Sequence, residues 1–464
     1  MRDHSVEAVA REVQTAGGML HSRRSATALA LAIALAGCSG DSETSDPPGE
    51  NRLPTWAEAP ASLTIGEGQQ LAVPVTAADE DGDAVSVVAI ASEGLAAEMT
   101  EEGLVLYADY GVTGGNVDVQ LDDAGGAIVT VSIPVTVSPL RWADYQSWTT
   151  AEGPEEREHP AVLVDAASRS AFLMHGSGYH PQFEQMLDDV WRYGIDDGSW
   201  SLVTPTGDVP PASGSRRLAG AHGSGSGYLF GGYGPAGAFD GELHRVEVAG
   251  GTLAFTAVQQ NGAPSARALH TFAYDPVTER YVLFGGVGSS VLGDTWLMEI
   301  DDAGVAQWTE LALSPTPGPR YGSFSAFDED HGRLLMFSGA QEGAAGNPVN
   351  PSPETWALDM RADPPVWSLV STTFSPPGRR NGSVVWDEGS SRMFVFGGTP
   401  DAATTAEGLF VLDARPGLER WLELPLVDPP SFRSSGTGFH DGERAYFGFG
   451  NDNAIYRDWA VLGY

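Results

Sequence analysis

From residue 52 onward the chain consists of short apolar runs separated by clusters of Gly, Pro, Asp, Asn and Ser. Within several runs apolar and polar residues alternate, as at Val85, Val87 and Ala89, which places successive side chains on opposite faces of a strand. No stretch after residue 51 sustains the 3.6-residue period of an amphipathic helix, so the pattern predicts an all-β protein. The 58 glycines and 31 prolines supply its turns. Runs at 62–65, 70–77, 85–91, 103–108, 116–122 and 128–137 predict a small β-sandwich over residues 52–138.

Residues 141–464 repeat. One unit reads Arg267-x-x-His270, Tyr274-Asp275, Tyr281-Val282-Leu283-Phe284-Gly285-Gly286, Asp294-Thr295-Trp296 and Trp308. It returns as Arg320, Phe327-Asp328, Leu334-Leu335-Met336-Phe337-Ser338-Gly339, Glu354-Thr355-Trp356 and Trp367. A third copy is Arg379, Trp386-Asp387, Met393-Phe394-Val395-Phe396-Gly397-Gly398 and Trp421, and in all three the phenylalanine keeps one spacing from the arginine. Looser copies start at Arg157, with Met174-His175-Gly176, Asp189-Val190-Trp191 and Trp200, and at Arg433, with Phe449-Gly450 and Asp458-Trp459. Another starts at Arg216 and reaches Phe230-Gly231-Gly232 through a shorter hairpin.

These residues resemble the kelch repeat, whose unit of about 50 residues is one four-stranded propeller blade. The resemblance implies a six-bladed kelch-type β-propeller over residues 141–464. Its last copy stops after a third strand, whereas 145–150 form an unmatched strand carrying Trp148. That N-terminal strand is therefore expected to complete the last blade, with Trp148 in the place of Trp200, Trp308, Trp367 and Trp421, because an open ring would expose a sheet edge. In the preceding module, Asp79-Glu80-Asp81-Gly82-Asp83 and Asp122-Asp123-Ala124-Gly125-Gly126 resemble turns of cadherin-like and immunoglobulin-like domains.

The N-terminus bears on location. Arg23 and Arg24 precede an apolar run at 26–36 that ends in Leu35-Ala36-Gly37-Cys38, and Cys38 is the sole cysteine. This resembles a bacterial lipoprotein leader: residues 1–37 are removed, Cys38 is lipidated and 38–51 form a tether. The run falls short of the roughly 20 residues that span a bilayer. The expected location is the cell envelope, at the outer membrane, with membrane contact through the lipid anchor only.

With 62 acidic and 25 basic residues the net charge is −37, and every basic residue is arginine. Such a chain repels nucleic acid and anionic lipid headgroups. Its candidate chemistry lies in the repeated arginines, Arg157, Arg216, Arg267, Arg320, Arg379 and Arg433, which the propeller topology brings to one face. Long loops at 176–187 and 339–353 border the same face, with Tyr179, His180, Phe183, Tyr233 and Phe239 as aromatic surface.

A ring of guanidinium groups suits a carboxylate-bearing protein or glycan ligand, since Arg bonds carboxylates bidentately. Alternatively each arginine braces neighbouring blades through backbone carbonyls, and His159, His222 and His270 pack rather than react. Asp79, Asp81, Asp83, Asp122 and Asp123 could hold calcium, or simply solvate their turns; no other cofactor is expected.

The leading functional reading is a binding or scaffold lipoprotein. A second is a kelch-type carbohydrate-active enzyme such as a sialic-acid epimerase; a copper site of the galactose-oxidase kind needs a cysteine, and Cys38 is spent on lipid. A third is a purely structural envelope protein.

Overall fold

The computed structural model describes residues 51–180, 183–341, 351–400, 404–425 and 427–464, with the backbone of Ile33–Ala34. Cys38 lies outside the described residues. The chain divides into two compact units, residues 1–64 with 71–136, and residues 65–70 with 137–464.

The smaller unit is built from two sheets. Val85–Ala91, Gly114–Asp123 and Ile128–Ser138 lie side by side in one, and Gln70–Val73, Gly103–Ala108 and Leu95–Thr100 form the other. Alternation decides which side chains go inside: Val117, Val119 and Leu121 are fully buried, as are Leu104 and Leu106 of the second sheet. Leu95–Thr100 is a strand the sequence pattern does not predict. Its residues, Leu-Ala-Ala-Glu-Met-Thr, include no aromatic and only one β-branched side chain, at its end, and it is held by pairing along Gly103–Ala108.

The larger unit is a ring of six sheets, antiparallel except for the short outermost strands Thr206–Gly207 and Gln260–Asn261, which pair parallel. Their inner strands are Ala161–Asp165, Arg217–Ala219, Thr271–Asp275, Phe324–Asp328, Ser383–Asp387 and Thr437–His440, which define blades 1 to 6. Each inner strand packs beside the next, and the sixth returns to the first. In blade 6, Asp458–Gly463 pairs with Arg141–Ser147, so the N-terminal strand closes the ring as expected.

The tryptophan assigned to that strand needs correction. Trp142, not Trp148, stands opposite Leu462, the counterpart of the Trp308↔Met298, Trp367↔Leu358 and Trp421↔Leu412 pairs. Each outer-strand tryptophan packs on the phenylalanine of the preceding blade: Trp308 on Phe230 at 5.4 Å, Trp367 on Phe284 at 5.1 Å, Trp421 on Phe337 at 4.8 Å and Trp142 on Phe396 at 5.6 Å. Trp148 follows the strand and packs 5.0 Å from Trp200. The two tryptophans are six positions apart, so alternation alone cannot separate them.

Two sets of backbone bonds tie the blades together. The N–H groups of Gly176, Gly232, Gly286, Gly339, Gly398 and Gly450 donate to the carbonyls of Ser213, Arg267, Arg320, Arg379, Arg433 and Arg157 of the adjoining blade. A Cβ at Gly286 would lie 2.8 Å from the Ala268 carbonyl oxygen, and φ there is +97°. This explains why the second glycine of the doublet persists in every copy. The first position lies at φ between 58° and 70°, inside the left-handed well that L residues can enter, and holds His175, Ser338 or Phe449 in three copies.

The second set surrounds the channel. His159, Ser215, Leu269, Gly322, Asn381 and Ser435 all have φ between 52° and 65°. Among them the N–H of Ser215 donates to His159, His159 to Ser435, Ser435 to Asn381, Asn381 to Gly322 and Gly322 to Leu269. Six successive blades thus meet, through left-handed residues, at a narrow throat where the inner strands begin.

Candidate functional site

The six repeated arginines are at most 2 % exposed. Arg267 shows the pattern: its guanidinium donates to both oxygens of Asp294 at 2.7 and 2.9 Å, to the Gly285 carbonyl at 3.0 Å and to the Ser265 carbonyl at 2.9 Å. Arg157 does the same with Asp189 at 2.6 and 2.9 Å and with the His175 carbonyl. Arg320 donates to Glu354 and the Ser338 carbonyl, and Arg433 to Asp458 and the Phe449 carbonyl. Arg379 has only carbonyl partners, at Pro377, Gly397 and Glu407, and lies over the Phe410 ring.

These arginines therefore brace the start of their own blade against its second and third strands. The links between blades are carried instead by the backbone bonds and by the outer-strand tryptophans. In blades 1, 3 and 4 the carboxylate sits two residues before a tryptophan whose indole N–H also donates to it, as Trp191 does to Asp189 at 2.6 Å and Trp296 to Asp294 at 2.7 Å. Burial opposes ionisation of Asp189 and Asp294. The guanidinium and indole donors outweigh it and hold both below the usual carboxylate range. The Asp-x-Trp and Glu-x-Trp spacing was visible in the sequence, but its role as the arginine's acceptor was not.

Blade 2 departs from the expected register. Gly214 bridges Tyr233 just as Ala268 bridges Val287, so Ser213, not Arg216, occupies the brace position. Its hairpin is not shorter; the arginine has moved. From three residues further on, Arg216 reaches back to Asp240 at 2.6 Å, while its Nε and one terminal nitrogen have no partner. Arg216→His, the residue blade 3 carries there, is expected to lower the melting temperature by several degrees by stranding Asp240. Adding Ser213→Arg should recover most of that loss; calorimetry of the single and double variants checks both.

The loop-bearing face lies at the same end as these braces. Blade 1 adds the hairpin Ser177–His180 with Phe183–Met186, which places the backbone of Tyr179 and His180 on this face; their side chains, like that of Phe183, lie outside the described ones. In blade 2, Tyr233 bridges both Gly214 and Phe239 around the turn Pro235–Gly237, and Phe239 is 37 % exposed.

The nearby histidines are poor bases. Burial pushes His159 and His175 down to about 3, with neighbouring arginine charge adding to it, and His270 well below its ordinary value. Such groups are mismatched to proton transfer at neutral pH. His222 stands apart from them, 6.4 Å from His440.

In the smaller unit the acidic turns act as internal acceptors. Asp79 accepts from the N–H groups of Asp81 and Asp83, Asp81 from the Arg52 N–H, and Asp123 from Ala127 and Asn51. Asp122 is exposed on its strand. Among the described residues no three His, Cys, Asp or Glu stand close enough to hold a metal ion, so the calcium expectation has no geometric counterpart there.

The chain is therefore an all-β protein with a small sandwich and a six-bladed kelch-type propeller. Its similarities agree with that class. An F-box/kelch-repeat protein of Arabidopsis thaliana is 26 % identical over 298 residues, 60 % of this chain and 59 % of that protein. Adagio-like protein 3 of Oryza sativa is 27 % identical over 37 % of this chain and 28 % of its own length, and Host cell factor 1 of Homo sapiens is 22 % identical over 59 % and 13 %. The chain thus spans about a quarter of the first curated relatives it matches. The solved structure of YjhT aligns with a TM-score of 0.50 at 11 % identity, over 67 % of this chain and 98 % of that one. No protein-family profile matches the chain.

Proposed function

We propose that the propeller is a protein-interaction or scaffold module, carried at the bacterial cell envelope by a lipid on Cys38, with its loop-bearing face as the docking surface. The observation that carries this reading is the division of labour in the ring. The arginines are consumed as internal braces, while Phe239 is left exposed at the loop-bearing end. Aromatic side chains on projecting loops suit recognition, because they bury a large area for few rotatable bonds. Similarity to kelch-repeat proteins supports the same class of role.

Site-specific photo-crosslinking in cells tests it. A crosslinker at Phe239 should yield a discrete adduct, whereas one at Leu202, more exposed at 63 % against 37 % but on the outer strand Trp200–Val203, should not. No adduct from Phe239, or the same adducts from both positions, would contradict the docking role.

A further inference from the structure

The throat of the ring encloses a cavity of roughly 190 Å³ lined by all six blades, through residues that include Val162, Leu218, Phe272, Ser325, Val384 and Gly438. No Asp or Glu lines it, in a chain of net charge −37. Two cations do: the displaced brace Arg216, which is engaged with Asp240, and Arg217 beside it. Every repeated arginine has carboxylate or carbonyl acceptors, but no side-chain hydrogen bond or ion pair to Arg217 occurs among the described residues. Burial alone acts on it, pushing it down to about 10, so it stays charged at neutral pH.

Arg217 is half-buried, and a cation held without a counter-charge away from bulk water is costly to keep in a folded chain. An anion that accepts from the guanidinium fork offsets that cost. His270 also borders the throat, but both its ring nitrogens are closed off from solvent and without a partner among the described residues, so it adds no donor to the cavity wall.

We propose that the throat binds a small organic carboxylate, held by the Arg217 guanidinium. The bidentate fork matches a carboxylate, the arrangement this chain itself builds at Asp189 and Asp294. A single negative charge suits a chain whose long-range field repels anions, and the volume admits a small acid rather than a polymer. This assignment goes beyond the docking role of the loop face and does not depend on it.

The test is thermal unfolding of the full chain in acetate, phosphate or chloride at equal ionic strength. Acetate should raise the melting temperature saturably above chloride, and phosphate should do less. Arg217→Gln should abolish the acetate shift, and Arg217→Lys, which keeps the charge but not the fork, should weaken apparent affinity several-fold. In chloride alone Arg217→Gln should melt at or above the parent, because it removes a half-buried charge that has no counter-charge. No acetate-specific shift in the parent, an undiminished shift in Arg217→Gln, a larger effect of phosphate, or a melting temperature of Arg217→Gln below the parent would each overturn the proposal.

Discussion

A chain lacking residues 141–147 is expected to aggregate on expression or to melt far below the intact protein. The deletion strips the outer strand from Asp458–Gly463 and leaves that strand's edge unpaired. It also removes Trp142 from between Phe396 and Phe447, and the Tyr145 hydroxyl that donates to Asp458. Losing a partly buried tryptophan costs a few kcal/mol, and a folded domain has only about 5–15 kcal/mol in hand. Blade 6 then presents a free edge, the arrangement that invites pairing with another chain. Differential scanning calorimetry with light scattering measures both effects, and a melting temperature equal to the parent's would mean that the ring closes without this strand.

Arg267→Gln is expected to lower the melting temperature nearly as much. The glutamine cannot span both oxygens of Asp294 while also reaching the Gly285 carbonyl, so a mostly buried carboxylate loses its counter-charge. Removing one partner of a buried pair costs about 3–5 kcal/mol, and each kcal/mol shifts a large domain by roughly 2–4 °C. The same change at Arg320 should do less, because Glu354 is 41 % exposed and water screens it. Calorimetry of the two variants under one condition gives the comparison; equal shifts would mean that solvent exposure of the acidic partner does not set the strength of the brace.

Much of the propeller could be read from the sequence because each blade must solve the same packing problem. The phenylalanine before the glycine doublet and the tryptophan of the outer strand meet across every joint from blade 2 to blade 5, so their spacing is held by contact. The persistent glycine is held by the carbonyl of its neighbour. What could not be read was where a guanidinium finds its acceptor. Arg216 carries the right residue type at the wrong position, and a pattern search accepts it by shortening the hairpin, whereas the backbone bridge at Gly214 shows that Ser213 holds the place.

The candidate site was obscured for a related reason. Arginines at the start of the inner strands converge on one face in the sequence reading, but side-chain direction there follows the left-handed residue beside each of them, which a one-dimensional pattern does not reveal. The braces turn into their own blade, and Arg217, which no repeat singles out, is left in the throat. The Leu95–Thr100 strand was missed through weak local propensity, and the Trp142 position through the near-identity of two tryptophans flanking one strand.

Two kinds of arginine meet in the ring: internal braces, and a throat cation, Arg217, with no counter-charge among the described residues. The same substitution, Arg→Gln, at position 267 and at position 217 tests this most directly when both variants are melted in chloride buffer beside the parent. Arg267→Gln should melt several degrees lower and Arg217→Gln at the parent's temperature or above it. Equal losses at both positions, or a loss at 217 alone, would contradict the account.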